Sequence, residues 1–284
     1  MHRVAFSIFG FPIYSYGVMI VIGVLIGYFL ILHRNKKLKI TDSDVITDCF
    51  IWLLISGLAG GRIAYVMLNF REYANDLPSI LNLRAGGLTL YGALILGSTF
   101  FIIFCKLKKL DPREMLDLFA PSVLIGIGFG RVGCFLNGCC YGMHASAPFG
   151  VVFKDAGVEG MRYPVQIYEM FATFIGAGFL LYYDKIKKFK VESFILMSAI
   201  YAGIRFCIEF IRESFPRYFG LSIAQYFSLF LIAIAVFLII KFRNDSKNVK
   251  NNVKKTEKSE KVEQKEEKKS KQNSSKKKNK KSKK

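Results

Sequence analysis

Charged side chains are almost absent from long parts of this 284-residue chain. No charge occurs in Tyr14–Leu32, Ala85–Cys105 or Leu221–Ile240, and Val165–Tyr183 contains Glu169 alone. Each run has about the 20 residues that an α-helix needs to cross the hydrocarbon of a bilayer. With 52% of its residues hydrophobic, the chain is too apolar for an ordinary soluble protein. The missing charge therefore indicates transmembrane helices.

The alternation of apolar and polar residues that marks the strands of a membrane barrel is also missing. Because backbone groups in lipid must find internal partners, helices are the expected spans. Three further segments qualify when a few ionisable residues are tolerated: 45–68, 116–137 and 193–211. The seven segments predict an all-α polytopic membrane protein with seven transmembrane helices. We expect no cleavable signal peptide, since the first apolar run is full-length and lacks a clear cleavage site.

Acidic residues are scarce, with 21 Asp and Glu against 41 Lys and Arg and a net charge of +20. From Lys241 onward, 19 basic residues accompany 6 acidic ones, and apolar residues are few. We therefore divide the chain into a transmembrane domain, residues 1–242, and a disordered Lys-rich tail, residues 243–284. A nucleic-acid partner is conceivable for such a tail, but the anionic surface of a membrane suits it better. We predict membrane lipid and no nucleic acid as a partner.

The charges of the loops predict the orientation of the helices. Lys and Arg are concentrated in segments 33–44, 106–113 and 184–192, with four in each. The segments between them carry one or two each. Because cytoplasmic loops are enriched in basic residues, this alternation predicts an N-terminus outside and a cytoplasmic C-terminus. The longer loops, 69–87 and 138–164, would then lie outside and suit a site reached from the outer leaflet.

Ionisable residues inside the predicted spans are few, and such residues indicate function because their burial in lipid is costly. Arg205, Glu209 and Arg212 share one helix face, and Tyr201 lies one turn earlier. One alternative is purely structural, an Arg–Glu pair that joins helices. The surplus of arginine near the outer helix ends favours a polar site for a phospholipid headgroup, since guanidinium groups bind phosphate bidentately. The residues of this kind that we single out, inside the spans or at their ends, are Arg62, Asp117, Arg131, Glu169, Arg205, Glu209 and Arg212.

The segment Gly128–Gly133, "GFGRVG", has the glycine spacing of a dinucleotide site. Such a site needs a strand before the glycines and a helix after them. Here the glycines lie at the end of a predicted transmembrane helix, where Gly126 and Gly130 indicate close helix packing instead.

The cysteines form two groups. Cys49, Cys105 and Cys207 lie singly in predicted spans and are expected to be small buried hydrophobes. The others are clustered near His144 at the predicted outer face, where a structural role, a disulfide, a metal site and a nucleophilic thiol all remain open. Their spacing fits no common zinc pattern, and we predict no metal and no cofactor. The clustered residues are Cys134, Cys139 and Cys140.

Six motifs, in order along residues 12–240, resemble those of the bacterial prolipoprotein diacylglyceryl transferases. They are "YSYGVMIVIG" (14–23), "GGRIAYV" (60–66), "GGLTLYGALILG" (86–97), "GRVGCFLNGCCYG" (130–142), "RYPVQIYE" (162–169) and "YAGIRFCIEFIRE" (201–213). The resemblance implies transfer of the diacylglyceryl group of phosphatidylglycerol to the lipobox cysteine of a prolipoprotein. A thioether forms and glycerol 1-phosphate leaves, as the first step of bacterial lipoprotein maturation. Residues 1–242 are then the catalytic domain in the bacterial cytoplasmic membrane.

The resemblance also implies roles for individual residues. Arg131 is expected to bind phosphatidylglycerol, and Arg205 to act in catalysis. Tyr91 stands where the family usually has a histidine, and we expect it to orient or hydrogen-bond rather than to remove a proton. Alternatives are a divergent member that binds lipid or lipoprotein without catalysis, and an anion transporter. The substrate-binding set expected is Arg131, Arg205, Arg62, Tyr16, Asn137, Gly142, Tyr201, Glu209 and Arg212, and the catalytic set is Arg131, Arg205 and Tyr91.

Overall fold

The computed structural model describes most of the chain except its C-terminal part. Arg84 and Lys154, which entered the charge comparison, and the predicted tail from residue 246 onward lie outside the described residues. The chain divides into two compact units, Met1–Ala235 and Val236–Lys284, and the polar regions discussed below all belong to the first. The described ranges are 3–8, 10–74, 76–82, 86–153, 157–213 and 216–245.

Helices make up most of the described chain, and each of the seven predicted spans coincides with one. A short helix, α3, and a 3-10 helix at Leu77–Leu81 lie in the loop after the second span. The helices are α1 (Ser15–Leu38), α2 (Ser43–Leu68), α3 (Phe70–Tyr73), α4 (Leu90–Leu107), α5 (Pro112–Asn137), α6 (Val165–Tyr183), α7 (Glu192–Ile208) and α8 (Ile223–Asp245).

In the described part of the chain, six helices are long and apolar enough to cross a membrane: α1, α2, α4, α5, α6 and α8. Helix α7 has 17 residues and ends at Ile208, three residues before the predicted end of that span. Large apolar side chains such as Phe29, Ile95 and Phe230 are exposed along these helices. An apolar surface of this extent is expected where a protein meets lipid. The chain therefore has the architecture of a polytopic helical membrane protein.

The connections contain short antiparallel strands that the all-α prediction did not include. The strands are paired two by two, and each pair forms a ribbon that is too small to build a core of its own. The pairs are β1 (Val4–Ile8) with β2 (Phe11–Tyr14), β3 (Val151–Val152) with β4 (Met161–Arg162), and β5 (Arg217–Tyr218) with β6 (Leu221–Ser222).

Helix α5 is the centre of the packing in the first unit. It contacts α1, α6 and α7, and near its start also α4. Met115 and Leu118 pack into an apolar cluster with residues of α1, α2 and α4, whereas Leu124 packs with residues of α6 and α7. Because lipid tails are as apolar as leucine, close packing rather than exclusion of water holds such helices together.

Glycines allow the closest approaches to α5, although at other positions than those predicted. A Cβ atom on Gly128 would collide with an aromatic ring of α6, and one on Gly133 would lie 2.9 Å from Cδ2 of Tyr16. The predicted positions, Gly126 and Gly130, are less tightly approached. Since the glycines lie inside α5 and no strand precedes them there, the dinucleotide alternative is excluded.

Candidate active site

Arg62 on α2 uses all of its donors on the loop that follows. A guanidinium group has five N–H bonds, and those of Arg62 donate to backbone carbonyls at 2.7–3.2 Å. The side chain is 6% exposed, so Arg62 holds the loop and keeps no donor for a substrate phosphate. The predicted contact with phosphatidylglycerol is not supported at this position. The acceptors are the carbonyl oxygens of Ser79, Ile80, Asn82, Gly86 and Gly87.

Asp117, near the start of α5, is the centre of a second polar region and is fully hydrogen-bonded. Its carboxylate accepts from Nζ of Lys187 at 3.1 Å and from the backbone N–H groups of Val191 and Phe194 at 2.9 and 3.0 Å. The side chain is 1% exposed. Asp117 therefore joins α5 to the loop between α6 and α7 and to the first turn of α7.

Two more carboxylates of this region are satisfied in the same way. The hydroxyl of Tyr183 donates to Glu192 at 2.7 Å, and two backbone N–H groups donate to its other oxygen. Asp184 accepts from the Ser193 hydroxyl at 2.7 Å and pairs with Arg34. Such pairing is required because a buried charge without partners is costly. We refer to Arg34, Asp117, Asp184, Lys187 and Glu192 as the Asp117 network.

A third polar region lies near the other end of α5. Nε of Arg131 is 3.0 Å from Oε2 of Glu169 on α6, and the hydroxyl of Tyr201 on α7 donates to Oε1 of Glu169 at 3.3 Å. One turn further along α7, Nη2 of Arg205 is 2.9 Å from Oε2 of Glu209. The carboxylates are buried, whereas the arginine side chains are 19% and 21% exposed. We refer to these five residues and Arg212, which like Arg131 acts on Cys140, as the Arg131 cluster.

The groups of the Arg131 cluster are incompletely paired. Nη1 of Arg205 is buried and has no hydrogen-bond partner among the described residues. Oε2 of Glu209 meets Arg205 as an ion pair but lacks the angle of a hydrogen bond. Arg212 forms no ion pair with a carboxylate in the described part of the chain, and its charge acts on Cys140. Three guanidinium groups thus accompany two carboxylates, which leaves positive charge and a free donor.

Gly142 brings the loop after α5 against the end of α7. A Cβ atom there would lie 2.5 Å from the carbonyl oxygen of Ile211 and 2.9 Å from Cβ of Tyr163. Gly142 forms a β-bridge with Arg212, and its N–H donates to the carbonyl of Tyr163 at 2.9 Å. Only a residue without a side chain fits, so Gly142 allows the loop after α5 to pack against the segment that carries Arg212.

Three cysteines lie beside Arg131 and Arg212. Their Sγ atoms are within 4.8 Å of one another, and all three thiols are free. Hydrogen bonds from Cys134 and Cys139 lower the pKa of the Cys140 thiol well below its ordinary value, and the two guanidinium groups act in the same direction. We refer to Cys134, Cys139 and Cys140 as the thiol cluster.

Of the remaining predicted site residues, one lies in the region of Arg131, one ends α5 and one lies apart on α4. Tyr16 on α1 interacts electrostatically with Arg131 and with the thiol cluster, so it belongs to the same region. Asn137 ends α5, and its carbonyl accepts from Nε of Arg3 at 3.3 Å. Tyr91, at the start of α4, is 80% exposed, and its hydroxyl makes no hydrogen bond with a described residue. The fold does not bring Tyr91 into the Arg131 cluster.

Neutral polar residues of the region were missed because the sequence was searched for charge. Ser222 donates to Oε1 of Glu209 at 3.1 Å, and Gln225 accepts from the N–H of Ser222 at 2.9 Å, so both join α7 to the start of α8. Gln166 is 1% exposed and donates to the carbonyl of Cys139 at 2.6 Å. A search for uncharged polar side chains within apolar runs would have found all three.

Comparison with known proteins identifies the family. A model of the family described as prolipoprotein diacylglyceryl transferase matches residues 3–241. The phosphatidylglycerol–prolipoprotein diacylglyceryl transferase of Clostridium tetani is 38% identical over 250 residues, which cover 86% of this chain and 99% of that protein. The protein of that name from Finegoldia magna is 31% identical over 245 residues, covering 86% and 96%. The phosphatidylglycerol–prolipoprotein diacylglyceryl transferase 2 of Clostridium perfringens is 34% identical over 245 residues, covering 84% and 94%. The chain belongs to the prolipoprotein diacylglyceryl transferase family.

Proposed function

We propose that this chain transfers the diacylglyceryl group of phosphatidylglycerol to a prolipoprotein and that the Arg131 cluster binds the phosphate. The observation that carries the assignment of the site is the surplus of guanidinium groups there, with a buried donor on Arg205 that has no described acceptor. Phosphate oxygens are strong acceptors that match the planar guanidinium fork. The other two polar regions keep no such donor, which favours the Arg131 cluster as the headgroup site.

The reaction proposed is a displacement at the glyceryl carbon that carries the phosphate. The sulfur of the lipobox cysteine forms a bond to that carbon, and the bond from the carbon to the phosphate oxygen breaks. The electron pair leaves with the oxygen, so glycerol 1-phosphate departs and a thioether remains. Arg131 and Arg205 would stabilise the negative charge that grows on the phosphate, which is the usual way in which fixed donors accelerate such a step.

The thiol of the substrate must lose its proton before or during the attack. Its free pKa of about 8.5 leaves only a small thiolate fraction at neutral pH. We propose that the arginines of the cluster lower that pKa, since nearby positive charge favours the thiolate. Tyr91 then needs no role as a base, and its exposed position on α4 suits a contact with a substrate. A Tyr91→Phe enzyme that keeps full turnover at pH 7 would remove even that role.

The topology proposed has seven spans in a bacterial cytoplasmic membrane. Helix α7 would be the seventh span. It carries Tyr201 and Arg205 between α5 and α6, and both of those helices are long enough to span a membrane. The N-terminus would lie outside and the C-terminus in the cytoplasm. Reporter fusions after Leu107 and after Asp245 should both report the cytoplasmic side, and a fusion after Gly142 the outer side. Any other pattern contradicts this orientation.

The activity is tested with the purified chain in micelles that contain phosphatidylglycerol and a lipobox peptide. Mass spectrometry should find a diacylglyceryl adduct on the peptide cysteine. Arg205→Ala should reduce the rate by about 10²–10³-fold, the loss expected when one donor to developing charge is removed. Arg113→Ala is the matched control, since Arg113 is an exposed arginine at the opposite end of α5.

The same assay separates the alternatives. Because Glu169 is buried, Arg131→Ala is made together with Glu169→Gln, which avoids an unpaired buried charge. A folded wild type that binds phosphatidylglycerol without forming the adduct would favour the non-catalytic alternative. Adduct formation at the wild-type rate by the folded Arg205→Ala variant would show that the phosphate lies elsewhere.

A further inference from the structure

We propose that the thiol cluster is a binding site for a thiophilic metal ion of the Zn²⁺ class. The Sγ atoms of Cys134, Cys139 and Cys140 lie within 4.8 Å of one another. The spacing of these cysteines along the chain matches no common zinc pattern, so the sequence predicted no metal. The turn at the end of α5 brings together three thiols that the spacing alone does not connect.

The backbone of this turn is held in place independently of the thiols. Gly138 ends α5 in the left-handed region at φ 72°, and the N–H of Cys139 donates to the carbonyl of Cys134 at 3.1 Å. Cys140 also has a positive φ of 64°, which is uncommon for a residue other than glycine. The buried amide of Gln166 donates to the carbonyl of Cys139 at 2.6 Å. The three side chains therefore converge from a turn that is already fixed.

The distances suit a small ion with sulfur ligands. A zinc–sulfur bond of about 2.3 Å in tetrahedral geometry places the sulfur atoms about 3.8 Å apart. The observed limit of 4.8 Å between the Sγ atoms requires only small side-chain adjustments. Thiolate ligands select zinc and similar soft ions over magnesium or calcium, which prefer oxygen. Three protein ligands would leave a fourth position open for water or another ligand.

The surrounding charge also suits such an ion. Three thiolates on a divalent cation carry one net negative charge, and the positive charges of Arg131 and Arg212 both act on Cys140. These two guanidinium groups offset the charge of the loaded site. His144, the other candidate ligand in the sequence, is not a member of the group, and its backbone forms a β-bridge with Arg162.

Two simpler explanations account for the cluster less well. Cys49 and Cys105 show what buried structural cysteines look like in this chain, since both are 0% exposed in an apolar cluster. The thiol cluster is partly exposed and lies among polar groups. A disulfide would use two of the thiols and leave the third without a role, whereas a metal site uses all three.

The test uses the full chain in detergent micelles, reduced and freed of metal, and titrated with Co²⁺ as a spectroscopic probe. We expect one Co²⁺ per chain, with thiolate-to-cobalt absorption that Zn²⁺ abolishes by displacement. Cys139→Ser and Cys140→Ser should each weaken binding by at least about 100-fold, because a ligand is lost. Cys207→Ser is the matched control, since Cys207 is an exposed thiol outside the cluster, and it should bind as the wild type does.

A second measurement needs no variant and is therefore independent of folding defects. Zn²⁺ should protect the three clustered thiols of the wild type from alkylation, as read peptide by peptide in a mass spectrometer, and should leave Cys207 reactive. Equal alkylation with and without Zn²⁺ would overturn the proposal. A disulfide between two of the three cysteines in protein isolated without reductant would overturn it too. Neither readout uses transferase activity, so this inference and the proposed function can fail separately.

Discussion

Helix α5 carries a polar region near each end, and the two differ in how completely their groups are paired. Asp117 and Arg131 are separated by about 21 Å along the helix at 1.5 Å per residue. In the Asp117 network, each carboxylate accepts hydrogen bonds from side chains, and Asp117 and Glu192 also accept from backbone N–H groups. In the Arg131 cluster, a buried N–H of Arg205 has no partner among the described residues, and Arg212 has no described carboxylate.

The difference teaches which of the two regions is structural. A network whose buried polar atoms all have partners has no buried donor left for a ligand, so its contribution is to hold the loop between α6 and α7 against α5. A region with unused donors carries a cost that folding alone does not explain. A ligand with several acceptor oxygens would remove that cost, and a phosphate is such a ligand. The charges alone, which both regions contain, would not separate them.

Among substitutions in the two regions, Arg131→Lys is expected to have the largest effect. Lysine keeps the positive charge beside Glu169 but loses the planar fork that binds two phosphate oxygens together. We expect the rate of adduct formation to fall by about 10²–10³-fold, with little change in melting temperature. A rate within a factor of three of the wild type would show that Arg131 acts only as a point charge.

Asp117→Asn should lower the stability of the protein and leave its rate unchanged, the opposite of Arg131→Lys. The substitution replaces an oxygen that accepts from Lys187 or from a backbone N–H by an NH₂ group, and the buried ion pair is lost. We expect a loss of about 3 kcal/mol of unfolding free energy, measured as a lower melting temperature in micelles. The rate per folded molecule should stay unchanged. A large loss of rate with unchanged stability would mean that both ends of α5 take part in catalysis.

The sequence predicted the helices well because long uncharged runs have one physical explanation. It predicted the bounds of α7 less well. Glu209 and Arg212 resemble residues of a helix that continues, but Glu209 lies in the turn after α7 and Arg212 in the β-bridge with Gly142. The short strands were missed because strands of two to five residues are too short to leave a clear periodic pattern.

The site was predicted only in part because charge does not reveal pairing. Arg62 and Arg131 look alike in the sequence, as single arginines among glycines in apolar segments. Only the fold shows that loop carbonyls occupy every donor of Arg62, whereas Arg131 has a single described carboxylate partner, Glu169. Tyr91 was placed at the site from its position in a motif, and its exposed position on α4 was not visible from that pattern.

A pair of tyrosines allows the same substitution to be made in both regions. Tyr201 donates to the buried Glu169 at 3.3 Å in the Arg131 cluster, and Tyr183 donates to the buried Glu192 at 2.7 Å in the Asp117 network. Each change to Phe removes one hydrogen bond to a charged acceptor, worth about 1.5–3 kcal/mol. Tyr201→Phe should lower the rate about tenfold, and Tyr183→Phe should lower the melting temperature instead. Equal effects of the two variants on the rate and on the melting temperature would show that the two regions do not differ in function.

The smallest effect is expected for Asp111, an exposed neighbour of the Asp117 network. Oδ2 of Asp111 lies 2.9 Å from Nζ of Lys190, and Oδ1 accepts from the N–H of Arg113 at 2.9 Å as the N-cap of α5. The hydrogen bond from Lys190 is the main reason that the pKa of Asp111 is lowered. Since an unfolded Asp has a pKa of about 3.9, this stabilisation is complete above that pH and is lost as the pH falls through the lower folded value.

Asp111→Asn isolates the charge, because asparagine caps a helix about as well as aspartate. At pH 7 the variant should melt about 1 °C below the wild type, since exposed ion pairs contribute little. The difference should shrink as the pH falls below about 3.9 and should be gone at a second pH below the lowered folded pKa, where the wild-type carboxyl is protonated. The comparison of melting temperatures at the two pH values cancels the other carboxylates, which titrate in both proteins. A larger fall in melting temperature at pH 7, comparable with that of Asp117→Asn, would mean that the exposed pair contributes as much as the buried network. Burial would then not explain the stability of this end of α5.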